Sequence, residues 1–228
     1  RRLSTSSFGV GRNVRFGDID GDGELEIVLG QMNAHGPGDA YSEVGCITAM
    51  DLRGEVLWQS GEPDPDRYQL TNDVAFQVHD IDGDGLAEVI YTRDFELVIA
   101  DGRTGAVRNR VPTPVARKPA DKFARILGDC LFFCDLRGTG RPGDMIIKDR
   151  YWHLWALDDE LRPLWDAACR TGHYPHAFDV DGDGRDELAI GYALLDHDGS
   201  VLWNNEDDMP AHADGLAVVD FLQDGSGP

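Results

Sequence analysis

Three stretches of this 228-residue chain carry acidic residues at alternate positions of a glycine-rich turn, in the pattern D-x-D-x-D-G-x-x-E. Asp18, Asp20, Asp22 and Glu26 fill positions 1, 3, 5 and 9 of the first copy. Asp80, Asp82, Asp84 and Glu88 fill the second, and Asp179, Asp181, Asp183 and Glu187 fill a later one. Alternate acids on a tight loop turn their carboxylates toward one centre. The glycine at position 6 permits the sharp turn, and the backbone carbonyl at position 7 (Glu24, Leu86, Arg185) can add an oxygen. All these ligands are hard oxygens on a flexible loop, which favours Ca2+ over Zn2+ or Mg2+. An Asp/Gly turn without metal is the competing reading, and three near-identical copies weigh against it. A degenerate copy starts at Asp135 but has Arg137 and Thr139 in place of the next acids. An arginine there can supply the positive charge itself, so no metal is expected. An incomplete copy starts at Asp220.

The elements that hold these loops follow from the repeat around them. The leading aspartates fall at 18, 80, 135, 179 and 220, spaced by 62, 55, 44 and 41 residues. The shorter spacings match a four-stranded propeller blade, and the longer ones need insertions such as the polar, Gly-rich stretch 31–45. In each copy an apolar strand enters the loop and a Val/Ile/Leu-rich strand leaves it. A strand–turn–strand follows: ITAMDLRGEVLW (47–58), LVIADGRTGAVRN (97–109), LWALDDELRPLW (154–165) and ALLDHDGSVLW (193–203). Asp and Gly in three of these turns signal hairpins, and three of the hairpins end in Leu-Trp, which predicts a Trp packed between neighbouring blades. No long 3.6-residue period appears. The fold class expected is all-β: a β-propeller of four-stranded blades over 10–62, 72–115, 123–168 and 173–208, with a fifth begun at 212–228. Four blades and a stump do not close a ring, so the chain is expected to be part of a 7- or 8-bladed one.

Composition narrows the function. The net charge of −21 excludes non-specific nucleic-acid binding, which needs a basic surface. Three Ca2+ ions would bring it to about −15. The 41% hydrophobic and 9% aromatic content argues for a folded globular chain rather than disorder. No apolar run reaches membrane-spanning length. Cys46, Cys130, Cys134 and Cys169 form no CxxC pair and are read as core residues. The chain starts at Arg1-Arg2, and a signal peptide could have been removed; a secreted or periplasmic location is expected.

The DxDGDG loop between two strands resembles the FG-GAP/VCBS repeats of integrin-type and bacterial propellers. A narrower likeness lies in GHYPHAFDVDGDGRDELAIGY, LLDHDGSVLW and HADGLAVVDF (172–221), and in ILGDCLFFCDL…IIKDRYWHLWAL (126–157). These resemble the propeller-type polysaccharide lyases, namely rhamnogalacturonan lyases and the related rhamnose–glucuronate lyases. The resemblance implies Ca2+ binding, an acidic polysaccharide as substrate, and cleavage beside a uronic acid by β-elimination.

Topology sorts the candidates for that chemistry. If each inner strand enters its Asp loop and the second strand leaves it, all Asp loops share one face. Residues before the inner strands and after the second strands then share the other. The opposite face collects Asn72, Asp73, Arg125, His173, Tyr174, His176, His212 and Asp214 with Gln31, Asn33, His35, Arg93, Lys148, Arg150, Tyr151 and Tyr192. It offers a cationic surface to an acidic sugar that the global field repels. β-Elimination needs a base for the C5 proton, a cation for the carboxylate, and an acid for the leaving oxygen. His173 or His212 could be the base. Arg150, Lys148 or Arg93 could neutralise. Tyr174 or Tyr151 could be the acid. The bland alternative for each is capping, packing or surface pairing. A non-catalytic FG-GAP/VCBS propeller binding a glycan or protein is the rival reading. A glycoside hydrolase using Asp73 and Asp214 is a third.

Overall fold

The alternating strands and Asp/Gly turns build sixteen strands in four antiparallel sheets of four, together with a single 3-10 turn, Glu206–Asp208, among the described residues. The structure is a computed structural model that describes residues 2–5, 7–8, 13–36, 41–66, 73–117, 122–209 and 211–219. Asn72, the middle of the 31–45 insertion and the fifth copy from Asp220 onward lie outside the described residues.

The first sheet is β1 (Val14–Gly17), β2 (Glu26–Ala34), β3 (Ser42–Met50) and β4 (Val56–Ser60). The second is β5 (Phe76–His79), β6 (Glu88–Arg93), β7 (Glu96–Ala100) and β8 (Val107–Pro112). The third is β9 (Cys130–Cys134), β10 (Asp144–Lys148), β11 (His153–Leu157) and β12 (Pro163–Ala168). The fourth is β13 (His176–Phe178), β14 (Glu187–Ile190), β15 (Ala193–Leu195) and β16 (Val201–Asn204). Strands neighbour one another in chain order in every sheet, as expected of propeller blades. Each acidic loop joins a first strand to a second.

The third-to-fourth hairpins repeat one local device. The pairing register slips at the same place in all four, after Ala49, Ile99, Ala156 and Leu194. The residue that ends the turn has positive φ: Gly54 (93°), Gly105 (71°), Leu161 (65°) and Gly199 (84°). These are bulged hairpins; two of their turns, Asp51–Gly54 and Asp196–Gly199, read Asp-x-x-Gly, and Asp101–Gly105 is one residue longer. Leu161 takes the glycine position in the hairpin that lacks one, and it is buried, so packing offsets the left-handed backbone.

The chain divides into two compact units, Arg1–Val115 with Ala124–Leu131, and Ala116–Phe123 with Phe132–Pro228. In the first, Val28, Ile47, Phe76, Val89, Tyr91 and Val98 are buried in one cluster between the first two sheets. In the second, Ile146, Leu154, Ala156, Leu188, Ile190 and Leu195 form the corresponding cluster. Second and third strands read as near-continuous apolar runs because neighbours cover both of their faces; fourth strands alternate or stay exposed. Cys46, Cys130, Cys134 and Cys169 are buried and unbridged, as read from the sequence, and burial pushes the Cys169 thiol up to about 12.

Two of the three Leu-Trp tryptophans do pack on the next blade. Trp58 Nε1 donates to the Gly102 carbonyl at 2.7 Å, and Trp165 Nε1 donates to the His197 carbonyl at 2.8 Å. A Cβ added at Gly199 would lie 2.7 Å from the Trp165 ring. We therefore expect Gly199→Ala to cost about 1–3 kcal/mol, from its φ and from displacing Trp165, measured by chemical unfolding. His197, in that hairpin turn, is held by Asp196 (Nδ1–Oδ1 2.8 Å) and Arg185 (2.8 Å).

Candidate functional site

The three acidic loops share one hydrogen-bond scheme. The position-1 carboxylate accepts N–H groups of the loop behind it: Asp18 from Gly21 and Gly23, Asp80 from Gly83 and Gly85, Asp179 from Gly182 and Gly184, all at 2.7–3.0 Å. The position-6 glycines, Gly23, Gly85 and Gly184, have φ near 90° (88°, 90°, 88°), where a side chain would strain the backbone. The position-9 glutamate opens the second strand, and its Oε2 accepts the position-2 N–H: Ile19 to Glu26 (3.0 Å), Ile81 to Glu88 (3.2 Å), Val180 to Glu187 (2.7 Å).

The donor atoms fit a calcium ion. Ligand atoms of Asp18, Asp20 and Asp22, of Asp80, Asp82 and Glu88, and of Asp179, Asp181 and Glu187 each fall within 4.8 Å of one another. Three of the four predicted ligands are thus grouped in every loop. Burial, then the neighbouring loop aspartates, raise the carboxyls of Glu26 and Glu187, and push Glu88 up to about 7. In the last loop Glu187 Oε1 is buried and has no hydrogen-bond partner. A buried carboxylate oxygen without a hydrogen-bond partner, in a glutamate grouped with further carboxylates, is the environment a divalent cation relieves.

The degenerate loop behaves differently. Asp135 still accepts the Thr139 and Gly140 N–H groups at 2.7 and 2.6 Å. Asp144, fully buried, opens β10 where the other loops have glutamate. Arg137 Nε donates to it at 2.6 Å, and Arg137 Nη2 to Asp159 at 2.9 Å. The guanidinium supplies positive charge there. Neither Asp144 nor Asp159 is assigned to this loop by its sequence, because both fall outside the nine-residue motif; Asp144, open there to pairing with Lys148 or Arg150, instead pairs with Arg137. Arg108 was missed for the same reason: it reaches the second loop from β8, bonding Glu88 Oε1 at 2.5 Å and Asp82 Oδ2 at 2.6 Å. Only a comparison of the hairpins, VLW, VRN, PLW and VLW, marks it as different.

The second unit gathers most of the candidate chemistry at the ends of β10 and β13 remote from the loops. Tyr151 follows β10 in a left-handed conformation (φ 77°). Buried Asp149 fixes the turn by accepting the N–H groups of Trp152 and His153, both at 2.8 Å. His173 is set by its N–H to the Ala213 carbonyl (3.1 Å), which ties it to the segment bearing His212 and Asp214. Arg170 anchors the chain before that segment through the Glu206 carboxylate and the Met209 carbonyl.

These anchors bring three rings together. His212 stacks on Tyr151 with centroids 4.6 Å apart and planes at 13°, while His173 meets Tyr151 edge-on at 5.2 Å and His212 at 5.0 Å. The Tyr151 hydroxyl is 3.3 Å from His173 Nε2. Asp214 Oδ1 lies 3.1 Å from His212 Nε2 and 3.5 Å from His173 Nε2. Arg150 covers the Tyr151 ring at 4.9 Å, and the Lys148 ammonium lies 5.7 Å from its centroid. The His173, His212 and Asp214 ligand atoms lie within 4.8 Å of one another, a spacing that also suits a metal ion.

Other candidates fall elsewhere. Lys148 is fully buried, donating to the Asp149 carbonyl at 3.2 Å, so it is not part of an open cationic surface. Arg93 belongs to the first unit, where it bonds Ser60 Oγ and Tyr91 OH, each at 3.1 Å. Tyr174 is exposed, and Tyr151 is the tyrosine that meets both histidines. His176 is the first residue of β13 rather than a residue before it. Gln31 and Asn33 lie within the long β2, and His35 pairs with Glu43 at 2.6 Å. Arg125 donates to the Thr113 carbonyl. Asp73 is buried, which leaves the two-carboxylate hydrolase reading with one open acid, Asp214.

No protein-family model matches the chain. It is 26% identical over 268 aligned residues to the rhamnogalacturonan exolyase YesX of Bacillus subtilis, and 24% identical over 263 to the rhamnogalacturonan endolyase YesW of the same organism. Each match covers 90% of this chain and 41% of the relative, so the chain spans about two fifths of the length of the curated relatives it matches. Among solved structures, the rhamnogalacturonan lyase of Bacillus licheniformis superposes with a TM-score of 0.66 at 23% identity, over 86% of this chain and 42% of that one, and shares its fold.

Proposed function

We propose that this chain forms part of a polysaccharide lyase that cleaves a rhamnose-linked, uronate-containing polymer by β-elimination. The ring cluster of Tyr151, His173 and His212 beside Arg150 and Lys148 carries the reading. The matches to rhamnogalacturonan lyases over nine tenths of the chain support it.

The reaction has three needs, and the cluster offers a group for each. His212, the more open of the two imidazoles (43% against 16% exposed), takes the C5 proton, with Asp214 holding its ring. The C5–H electron pair becomes the C4–C5 double bond as the C4–O bond breaks. Tyr151 gives its hydroxyl proton to the leaving oxygen, and His173, hydrogen-bonded to that hydroxyl, restores it. Arg150 pairs with the uronate carboxylate and stabilises the charge that builds on it as the proton leaves. Lys148 adds a fixed, desolvated positive charge beneath the tyrosine ring.

Calcium enters this reading as a structural ion. Asp18, Asp20, Asp22 and Glu26, Asp80, Asp82, Asp84 and Glu88, and Asp179, Asp181, Asp183 and Glu187 would hold it and tie first strands to second. It would neutralise carboxylates that repel one another and an acidic polymer.

The test uses the full-length protein on a panel of rhamnogalacturonan and other uronate polymers. A lyase yields an unsaturated uronate that absorbs in the ultraviolet. We expect absorbance to rise on the rhamnose-linked polymers and not on uronate homopolymers. Binding without any product across the panel would replace this reading with the non-catalytic propeller.

A further inference from the structure

The inference rests on the calcium reading above and separates the loops by their own cations. In strand register, Val56, Val107, Pro163 and Val201 each face the last paired residue of a third strand. The next position is Leu57, Arg108, Leu164 and Leu202 in the four sheets. All three leucines are exposed. The arginine instead reaches the acidic loop of its own sheet.

Its two nitrogens meet the oxygens a metal would need. Arg108 Nη1 donates to Glu88 Oε1 at 2.5 Å and Nη2 to Asp82 Oδ2 at 2.6 Å. The corresponding atom of the last loop, Glu187 Oε1, sits beside a sheet with Leu202 at that position, and it is buried with no hydrogen-bond partner. The degenerate loop solves the same problem from within, through Arg137 on Asp144. The acid that opens the second strand therefore meets a guanidinium in the second and degenerate loops, whereas in the last loop one of its oxygens has no hydrogen-bond partner.

We propose that Arg108 is a built-in counter-cation for the second loop, so that this loop binds calcium much more weakly than the first and last. Calcium at the second loop must displace two charge-assisted hydrogen bonds and then sit beside the displaced positive charge. The Arg108 side chain is 41% exposed, so it can swing clear. Binding is weakened rather than abolished, by about tenfold or more.

The experiment counts calcium ions on EDTA-stripped full-length protein by native mass spectrometry, with affinities from calorimetric titration with CaCl2. Differences between variants isolate each loop from sites elsewhere in the protein. At calcium just sufficient for the tight sites, Asp183→Asn is expected to lower the count by one and Asp84→Asn to leave it unchanged. In an Arg108→Leu background, which installs the residue of the other three sheets, Asp84→Asn is expected to lower it by one. Arg108→Gln serves if the leucine variant folds poorly. Arg110→Leu, on the same strand but paired with Glu96 (3.2 Å), removes the same charge without touching the loop and should change nothing. Loss of one ion with Asp84→Asn in the otherwise wild-type protein would overturn the inference and leave the calcium reading standing. So would an Arg108→Leu protein in which Asp84→Asn has no effect, or an Arg110→Leu protein that behaves like Arg108→Leu. If Asp183→Asn also leaves the count unchanged, the calcium reading itself fails.

Discussion

Tyr151→Phe should lower turnover on a rhamnose-linked uronate polymer by about a hundredfold or more while leaving the thermal midpoint nearly unchanged. The substitution removes one oxygen. The ring still stacks on His212 and still lies under Arg150, so the contacts at 4.6 and 4.9 Å survive. The left-handed backbone at Tyr151 is equally strained with phenylalanine. Asp149 holds that turn through Trp152 and His153, and neither bond involves the hydroxyl. What disappears is the proton donor and its link to His173. His173→Ala should also remove turnover, but it takes away a ring contact with both Tyr151 and His212 and should shift the midpoint as well. The contrast separates chemistry from packing. Unsaturated-product absorbance and a melting curve on the same preparations decide the matter, and a Tyr151→Phe enzyme within about threefold of wild type would remove Tyr151 from the mechanism.

Chelation should act mainly on stability. A ligand present at 100 times its Kd stabilises the folded state by about 2.7 kcal/mol per site, and EGTA removes that contribution. Glu187→Gln should reverse the sign of this effect in metal-free protein. Its Oε1 is buried with no hydrogen-bond partner, and one of its oxygens lies within 4.8 Å of carboxylate oxygens of Asp179 and Asp181, so a neutral amide there relieves about 1–3 kcal/mol. The same change weakens the calcium site. The variant is expected to melt above wild type in EGTA and to gain less on adding CaCl2. Wild type melting identically with and without calcium would count against structural calcium. Chelated protein that stays folded yet loses all turnover would move the essential metal to His173, His212 and Asp214.

The repeat was legible because it is local. Three copies of one nine-residue motif and four Asp-turn hairpins state the strand order of every sheet, and all four sheets follow it. The apolar runs of β6 and β10, which leave their loops, were equally plain. The opposite-face sorting grouped Tyr151, His173 and His212, and the structure brings these three rings together. It could not say that Lys148 is buried, that Tyr174 turns outward, or that Arg93 is engaged by Ser60 and Tyr91. Those depend on side-chain direction and on neighbours distant in sequence.

By itself, then, the sequence determined the all-β architecture, the four-stranded sheets and the residues of the acidic loops, because turn chemistry and period-two patterning act over a few residues. Tertiary structure decided which charges meet. Arg108 is 20 residues from Glu88 and 26 from Asp82, yet it bonds both. His173 and His212 join Tyr151 only because the backbone between Thr171 and Asp214 folds back on itself, with the His173 N–H on the Ala213 carbonyl. Coulomb energy depends on distance in space and not along the chain. Loops with the same carboxylates can therefore differ, one neutralised by its own arginine and another left with a buried oxygen that has no partner.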